Sequence, residues 1–269
     1  MKYKNNPDLI KNYWSKPCLS RQMVGTYPLG NCGLFEIPYR HYFELKHLKK
    51  IVNFNKSMNV LELGCGNGRW VISLASLVKQ YTGVDFSRVP LDIAEEDVKA
   101  NGLNNVEFHE CSLTEFSCNR SYDVVYFSGV SQYLEDEELK LVLDNLSKCL
   151  KAETILVDRS TVNFKKRELL ATKDYFSILR TPEELAEIYG IYGFRLQYQK
   201  RSYRFLRGYQ LFRIGWINRV ASILSMYTRP ISFYIMICFS FIADVLNPIP
   251  FEGGDRSHDF LIFKRDTSL

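Results

Sequence analysis

Glu62, Gly64, Gly66 and Gly68 stand at every second position of Val60-Leu61-Glu62-Leu63-Gly64-Cys65-Gly66-Asn67-Gly68-Arg69-Trp70. An apolar run feeds a glycine-rich turn that opens a helical pattern. Glycine allows φ > 0 and close backbone approach, and the first N–H groups of a helix lack intrahelical partners, so a polar ligand suits the turn. Spacing narrows the ligand. A dinucleotide fingerprint G-x-G-x-x-G would need its third glycine at position 69, where Arg69 stands, and no P-loop run G-x-x-x-x-G-K-S/T occurs. A further acid, Asp85, follows Gly68 by seventeen residues in Thr82-Gly83-Val84-Asp85-Phe86-Ser87. A carboxylate there can accept hydrogen bonds from both hydroxyls of a cis-diol.

The set E-x-G-x-G-x-G, the downstream Asp85 and the run Tyr122-Asp123-Val124-Val125-Tyr126-Phe127-Ser128-Gly129-Val130 resemble the class I S-adenosylmethionine-dependent methyltransferases. The resemblance covers about residues 55 to 200 plus the last strand. It implies S-adenosyl-L-methionine as cofactor, with contacts from Glu62, Gly64, Cys65, Gly66, Asn67, Gly68, Asp85, Phe86, Ser112, Leu113 and Ser128. Asp85 would hold the ribose, and Ser128 with Gly129 would lie beside the methionine portion. Many relatives carry an aspartate for adenine after the third strand. Here Glu110-Cys111-Ser112-Leu113 stands there, and Ser112 or a neighbouring backbone group would take that role. Methyl transfer from a sulfonium needs alignment above all, and a base only when the acceptor must lose a proton. The sequence identifies no such base and no metal ligands. Gln132, Tyr133 and Arg159, with Asp158, fall past the fourth and fifth strands, where open α/β sheets bind ligands, and are candidates for substrate contact. Trp70 reads as a packing residue, Cys65 as a small turn residue, and His41, His47, His109 and His258 more as packing or surface residues than as catalysts.

These residues must be positioned by alternating β and α units. Strand-like runs are Asn59–Leu63, Tyr81–Asp85, Val106–His109, Asp123–Ser128 and Thr154–Asp158, separated by helical stretches Val71–Val78, Leu91–Ala100 and Asp136–Leu150. Thr181-Pro182-Glu183-Glu184 announces a further helix by its capping box. Strands follow at Phe194–Gln199 and Phe260–Lys264. The pattern predicts an α/β fold, a doubly wound, mostly parallel seven-strand sheet of Rossmann-like methyltransferase type, with a helical insertion before the last strand. The divisions are 1–57, an N-terminal helical cap with a helix near Pro38–Asn53; 58–201, the core; 202–257, an apolar and basic insertion; and 258–269, the last strand.

Composition bounds the rest. With 269 residues, 46% hydrophobic and 24% charged, the chain can bury a core and has no disorder signature. Its seven cysteines are odd in number, scattered and never spaced C-x-x-C, which speaks against a disulfide framework or zinc site and for a reducing, cytoplasmic setting. No secretory leader is evident after Met1. The net charge of +5 conceals an acid-free stretch, Ile188 to Ala243, with eight cations. Pro230–Ala243 offers only fourteen uncharged residues, short of the roughly 20 that span a bilayer. The insertion reads as a lid or homodimer contact, or as a hairpin resting peripherally on the inner face of an anionic membrane. Nucleic acid is disfavoured because the long uncharged stretch suits lipid or protein better than phosphate. The expected activity is methylation of a small or lipid-linked acceptor. The alternatives are an RNA or protein methyltransferase, or a catalytically inactive cofactor-binding module.

Overall fold

A computed structural model describes residues 10, 13–14, 36–172, 175–202 and 255–266, with the backbone alone for 36–40. In chain order the elements are α1 (Glu36–Ile51), β1 (Asn59–Leu63), α2 (Arg69–Leu74), β2 (Gln80–Asp85), α3 (Arg88–Ala100), β3 (Val106–Glu110), β4 (Tyr122–Ser128), α4 (Asp136–Ser147), β5 (Leu150–Asn163), β6 (Glu168–Ala171), β7 (Phe176–Leu179), α5 (Pro182–Gly190), β8 (Phe194–Arg201) and β9 (Arg256–Arg265). Seven strands form one sheet in the order β3-β2-β1-β4-β5-β9-β8. The first five are parallel, and β9 runs antiparallel to both β5 and β8. This is the predicted α/β architecture. The insertion lies outside the described residues except for Ser202 and residues 255–257, so the readings placed on it lie there too.

Strand alternation divides the core between two faces. Leu61, Leu63, Val125 and Phe127 pack with α4 and α5 through Leu139, Val142, Leu143, Leu146, Leu185 and Tyr189. Their neighbours Val60, Val124 and Tyr126 turn the other way and meet Leu48 of α1, Val52 just after it, and Trp70, Val71, Leu74 and Leu91 from α2 and α3. A parallel sheet covered on both faces follows. Helix starts are set locally. Thr181 Oγ1 accepts the N–H of Glu184 at 3.1 Å while Glu184 Oε2 accepts the N–H of Thr181 at 3.0 Å, completing the predicted capping box. Glu135 and Glu138 cap α4 in the same way.

The structure corrects and adds to the sequence expectations. The helix read as Val71–Val78 runs from Arg69 to Leu74 and tightens into a 3-10 turn over Ala75–Leu77. The helix read to Leu150 ends at Ser147, because Leu150 already pairs with Tyr122 as the first residue of β5, a strand of fourteen residues rather than five. A hairpin, β6 paired antiparallel with β7, was not anticipated. Cys118 and Cys149 form a disulfide with Cα atoms 6.4 Å apart. Cys118 lies shortly before β4 and Cys149 directly before β5, so the pairing of those strands brings together two cysteines that sequence spacing kept apart.

Candidate functional site

The carboxyl ends of β1, β2 and β4 converge on the glycine turn. Gly64, Gly66 and Gly68 all have left-handed backbones, with φ of 73°, 53° and 73°. The three do different jobs. A Cβ on Gly64 would run into Val130, and one on Gly68 would come within 2.8 Å of Ala94 Cβ on α3, so these two glycines let the turn pack against its neighbours. A Cβ on Gly66 would meet nothing within 4 Å. Gly66 therefore faces open space. Cys65 is buried, its sulfur against Gly83 of the adjacent strand.

Asp85, at the end of β2, holds this turn. One carboxylate oxygen accepts the N–H of Gly66 at 2.9 Å and the other accepts the N–H of Ser87 at 3.0 Å. The carboxylate keeps further acceptor capacity for a ligand. Burial pushes the Asp85 pKa up to about 6, against the lowering pull of the Ser87, Gly66 and Phe86 N–H groups. Glu62 lies deeper. It is fully buried, and Tyr81 donates to its Oε2 at 2.9 Å while Oε1 has no hydrogen bond. Burial raises its pKa to about 8, opposed by the Tyr81 hydroxyl and more weakly by Ser128 and Arg69.

Two cavities open on the turn. The larger, about 490 Å³, is lined by Gly64, Gly66, Asp85, Phe86, Ser112, Leu113 and Ser128 among others, which unites seven of the eleven cofactor contacts implied by the resemblance. Cys65 and Asn67 line the second cavity, about 180 Å³, together with Gln132, Tyr133 and Arg159, all three substrate candidates. Gly64, Gly66, Ser128, Gly129, Tyr133 and Trp14 border both cavities. Glu62 and Gly68 border neither: Glu62 sits behind the turn and Gly68 caps α2. Asp158 is also away from the cavities, buried with its oxygens bonded to Ser131 at 2.9 Å and Tyr189 at 2.7 Å, so its role is structural.

The cavities differ in charge. Asp85, Glu110, Glu115 and Glu138 line the larger one, with no Lys, Arg or His among its described lining residues. Arg69, Arg159 and His258 line the smaller, with no Asp or Glu. Arg159 is 3% exposed and donates from Nε to Glu44 of α1 at 2.7 Å.

Several lining residues were not anticipated as site residues. Ile10, Tyr13 and Trp14 are helical and share a face at i, i+3, i+4 spacing. Ile10 packs on Phe176 and Ile178 of the hairpin, while Tyr13, Trp14, Tyr133 and Tyr175 form a chain of rings with centroids 5.1–5.9 Å apart. The aromatic lead-in was visible in sequence, but its destination depends on β6 and β7. Arg180, buried after β7, holds the hairpin by donating to Ser131 O at 2.9 Å, Leu134 O at 2.6 Å and Asp136 Oδ1 at 2.6 Å. Trp70 packs as expected at 1% exposure and also edges the smaller cavity. Of the histidines, His258 alone borders either of these two cavities; it lies within β9, opposite Thr161. His41 bonds Ser73, His47 bonds Ser202 O and His109 pairs with Glu107.

Residues 60–153 match the family described as methyltransferase domain. Among curated proteins, an uncharacterised protein of Rickettsia prowazekii is 32% identical over 127 residues, which is 42% of this chain and 22% of that protein. A carboxy-S-adenosyl-L-methionine synthase of Campylobacter jejuni is 34% identical over 126 residues, 44% of this chain and 51% of the synthase. The chain thus matches about half or less of these relatives' length. Among solved structures, an O-methyltransferase of a trans-AT PKS multienzyme from Brevibacillus brevis, in complex with S-adenosyl-L-homocysteine, is similar with TM-score 0.58 and 16% identity, over 100% of this chain and 82% of that one. With its sheet order, glycine turn and second acid in place, the chain has the class I methyltransferase fold, and its residues 60–153 match the methyltransferase-domain family.

Proposed function

We propose that the protein is an S-adenosylmethionine-dependent methyltransferase acting on a small acceptor. The observation that carries this reading is the pair of adjoining cavities sharing the Gly64–Gly66 turn and the Ser128–Gly129 edge, the larger lined by four acids. A volume of about 490 Å³ lies within the usual range for cofactor sites, and acids suit a ligand carrying a sulfonium and an ammonium. The cofactor supplies an activated methyl group on a positively charged leaving group. The chain's own residues do the positioning. Asp85 offers its free lone pairs to a ribose, Ser112 and Leu113 flank the place for adenine, and the open face of Gly66 leaves room for a ligand against the backbone. Tyr13, Trp14, Tyr133 and Tyr175 wall the second cavity, and among its described lining residues His258 offers an imidazole to take a proton from an acceptor.

The size of the second cavity favours a small molecule over RNA or a protein chain. A headgroup on a lipid fits the same reading only through the insertion. Calorimetry with S-adenosylhomocysteine tests the first step. Saturable 1:1 binding that Gly66→Val abolishes supports the proposal, and no binding by the folded wild type refutes it.

A further inference from the structure

The two cavities carry opposite charge, and the difference bears on the acceptor. We infer that the acceptor is a small planar anion, about one ring in size, whose negative group seats against Arg159 in the second cavity. This rests on the methyl-transfer reading for what the second cavity holds, and on this chain's own geometry for the charge.

Arg159 is the centre of the argument. Its guanidinium is buried at 3% exposure and lines the cavity, with Nη1 near Gly129. Glu44, itself fully buried, takes the Nε end at 2.7 Å and so fixes the plane of the group, while Nη2 has no hydrogen-bond partner. A buried N–H left unpaired is costly, and a guanidinium presents paired donors that match the two oxygens of a carboxylate or phosphate. Arg69 and His258 line the same space, and among the described lining residues no carboxylate competes for an anion. Gln132 points to the same conclusion: its Oε1 accepts the N–H of Thr161 at 3.0 Å, which leaves its NH₂ as the donor end.

Shape limits the body of the ligand. The cavity holds about 180 Å³, and a cavity of about 150 Å³ accommodates one benzene ring. Tyr13, Trp14, Tyr133 and Tyr175 supply flat walls against which a planar ligand can stack. Positive charge at one end and rings around the rest fit a ring bearing a carboxylate or a phosphate ester.

The test uses benzoate, phenyl phosphate and the neutral benzamide as probes, with binding followed by calorimetry and ligand-detected NMR, with and without S-adenosylhomocysteine. Benzoate or phenyl phosphate should bind and benzamide should not, and the stronger of the two anions tells carboxylate from phosphate. Arg159→Gln should weaken the anion by about ten-fold or more, the scale of a lost charge-assisted hydrogen bond, with homocysteine-ligand affinity unchanged. Should that variant fail to fold, Glu44→Gln gives the opposite sign: its amide still accepts from Nε, but the compensating charge is gone, so the anion should bind more tightly. Benzamide binding as well as benzoate, or a folded Glu44→Gln protein with unchanged or weakened anion affinity, overturns the inference. Absence of S-adenosylhomocysteine binding sinks the methyl-transfer reading instead, and the probe arms without that ligand still report on the anion site.

Discussion

Replacing Glu62 with Gln isolates a buried proton. Free glutamate ionises near 4.5, whereas in the fold burial holds the Glu62 carboxyl protonated up to about 8. Below 4.5 both states carry the proton. Between the two values the unfolded chain releases it and the folded chain does not, so stability falls as pH rises through this window and levels off above about 8. At about 1.4 kcal/mol for each pH unit, the full change is of order 5 kcal/mol. Gln keeps the Tyr81 bond, now 2.9 Å to Oε2, through its amide oxygen and has nothing to ionise. The difference in unfolding free energy between wild type and Glu62→Gln removes the titration of every other group. Urea unfolding of both proteins at several pH values from about 5 to 8 should show that difference moving in favour of the variant as pH rises. A flat difference would mean that Tyr81, Ser128 and Arg69 hold the group ionised, and that an unpaired Oε1 does not force neutrality.

Other consequences are open to direct measurement. Asp85→Asn leaves one oxygen to serve two backbone N–H groups, so S-adenosylhomocysteine affinity should drop by about 1.5–3 kcal/mol. In the wild type, affinity should weaken as pH falls through about 6, because a ribose-bonded carboxyl must be ionised; a pH-independent titration would refute this. Gly64→Ala should cost about 3 kcal/mol from left-handed strain and collision with Val130, part of it recovered by adding Val130→Ala. Gly66→Ala should cost only about 1 kcal/mol of stability yet impair ligand binding, and the reverse ranking in thermal unfolding would contradict the division of roles in the turn. If the insertion rests on anionic lipid, changing Arg207, Arg213 and Arg219 to Gln should remove about 3 kcal/mol of vesicle binding; co-sedimentation unaffected by the triple change would dismiss that reading.

What sequence could disclose follows from how local each cause is. The glycine turn, Asp85 and the α5 capping box are written in runs of a few residues, because backbone conformation and capping depend on neighbours in the chain. The hairpin escaped notice: Glu168–Ala171 and Phe176–Leu179 are four residues each, too short for a period to emerge, and the second finds its apolar partner in Ile10. Arg159 was legible as a residue past the fifth strand, but Glu44 lies 115 positions away, and only the fold shows the pair to be buried. Asp85 was read as a ligand contact, and its hold on the Gly66 N–H came from the three-dimensional turn. The seven cysteines in scattered positions gave no sign of which strands would bring Cys118 to Cys149.

The place of β9 has a consequence for how the molecule assembles. Strands β1 to β5 can pair as they emerge, each meeting a neighbour already made, but β8 has no seat in the sheet until β9 arrives between it and β5. More than fifty residues separate β8 from β9. Until β9 joins the sheet, β5 and β8 both keep open edges, the exposure that favours pairing with other chains. The second-cavity wall waits on the same event, since His258 arrives with β9. Completion of the sheet and of the second cavity's wall thus both depend on β9, whereas the glycine turn lies on strands that pair without it.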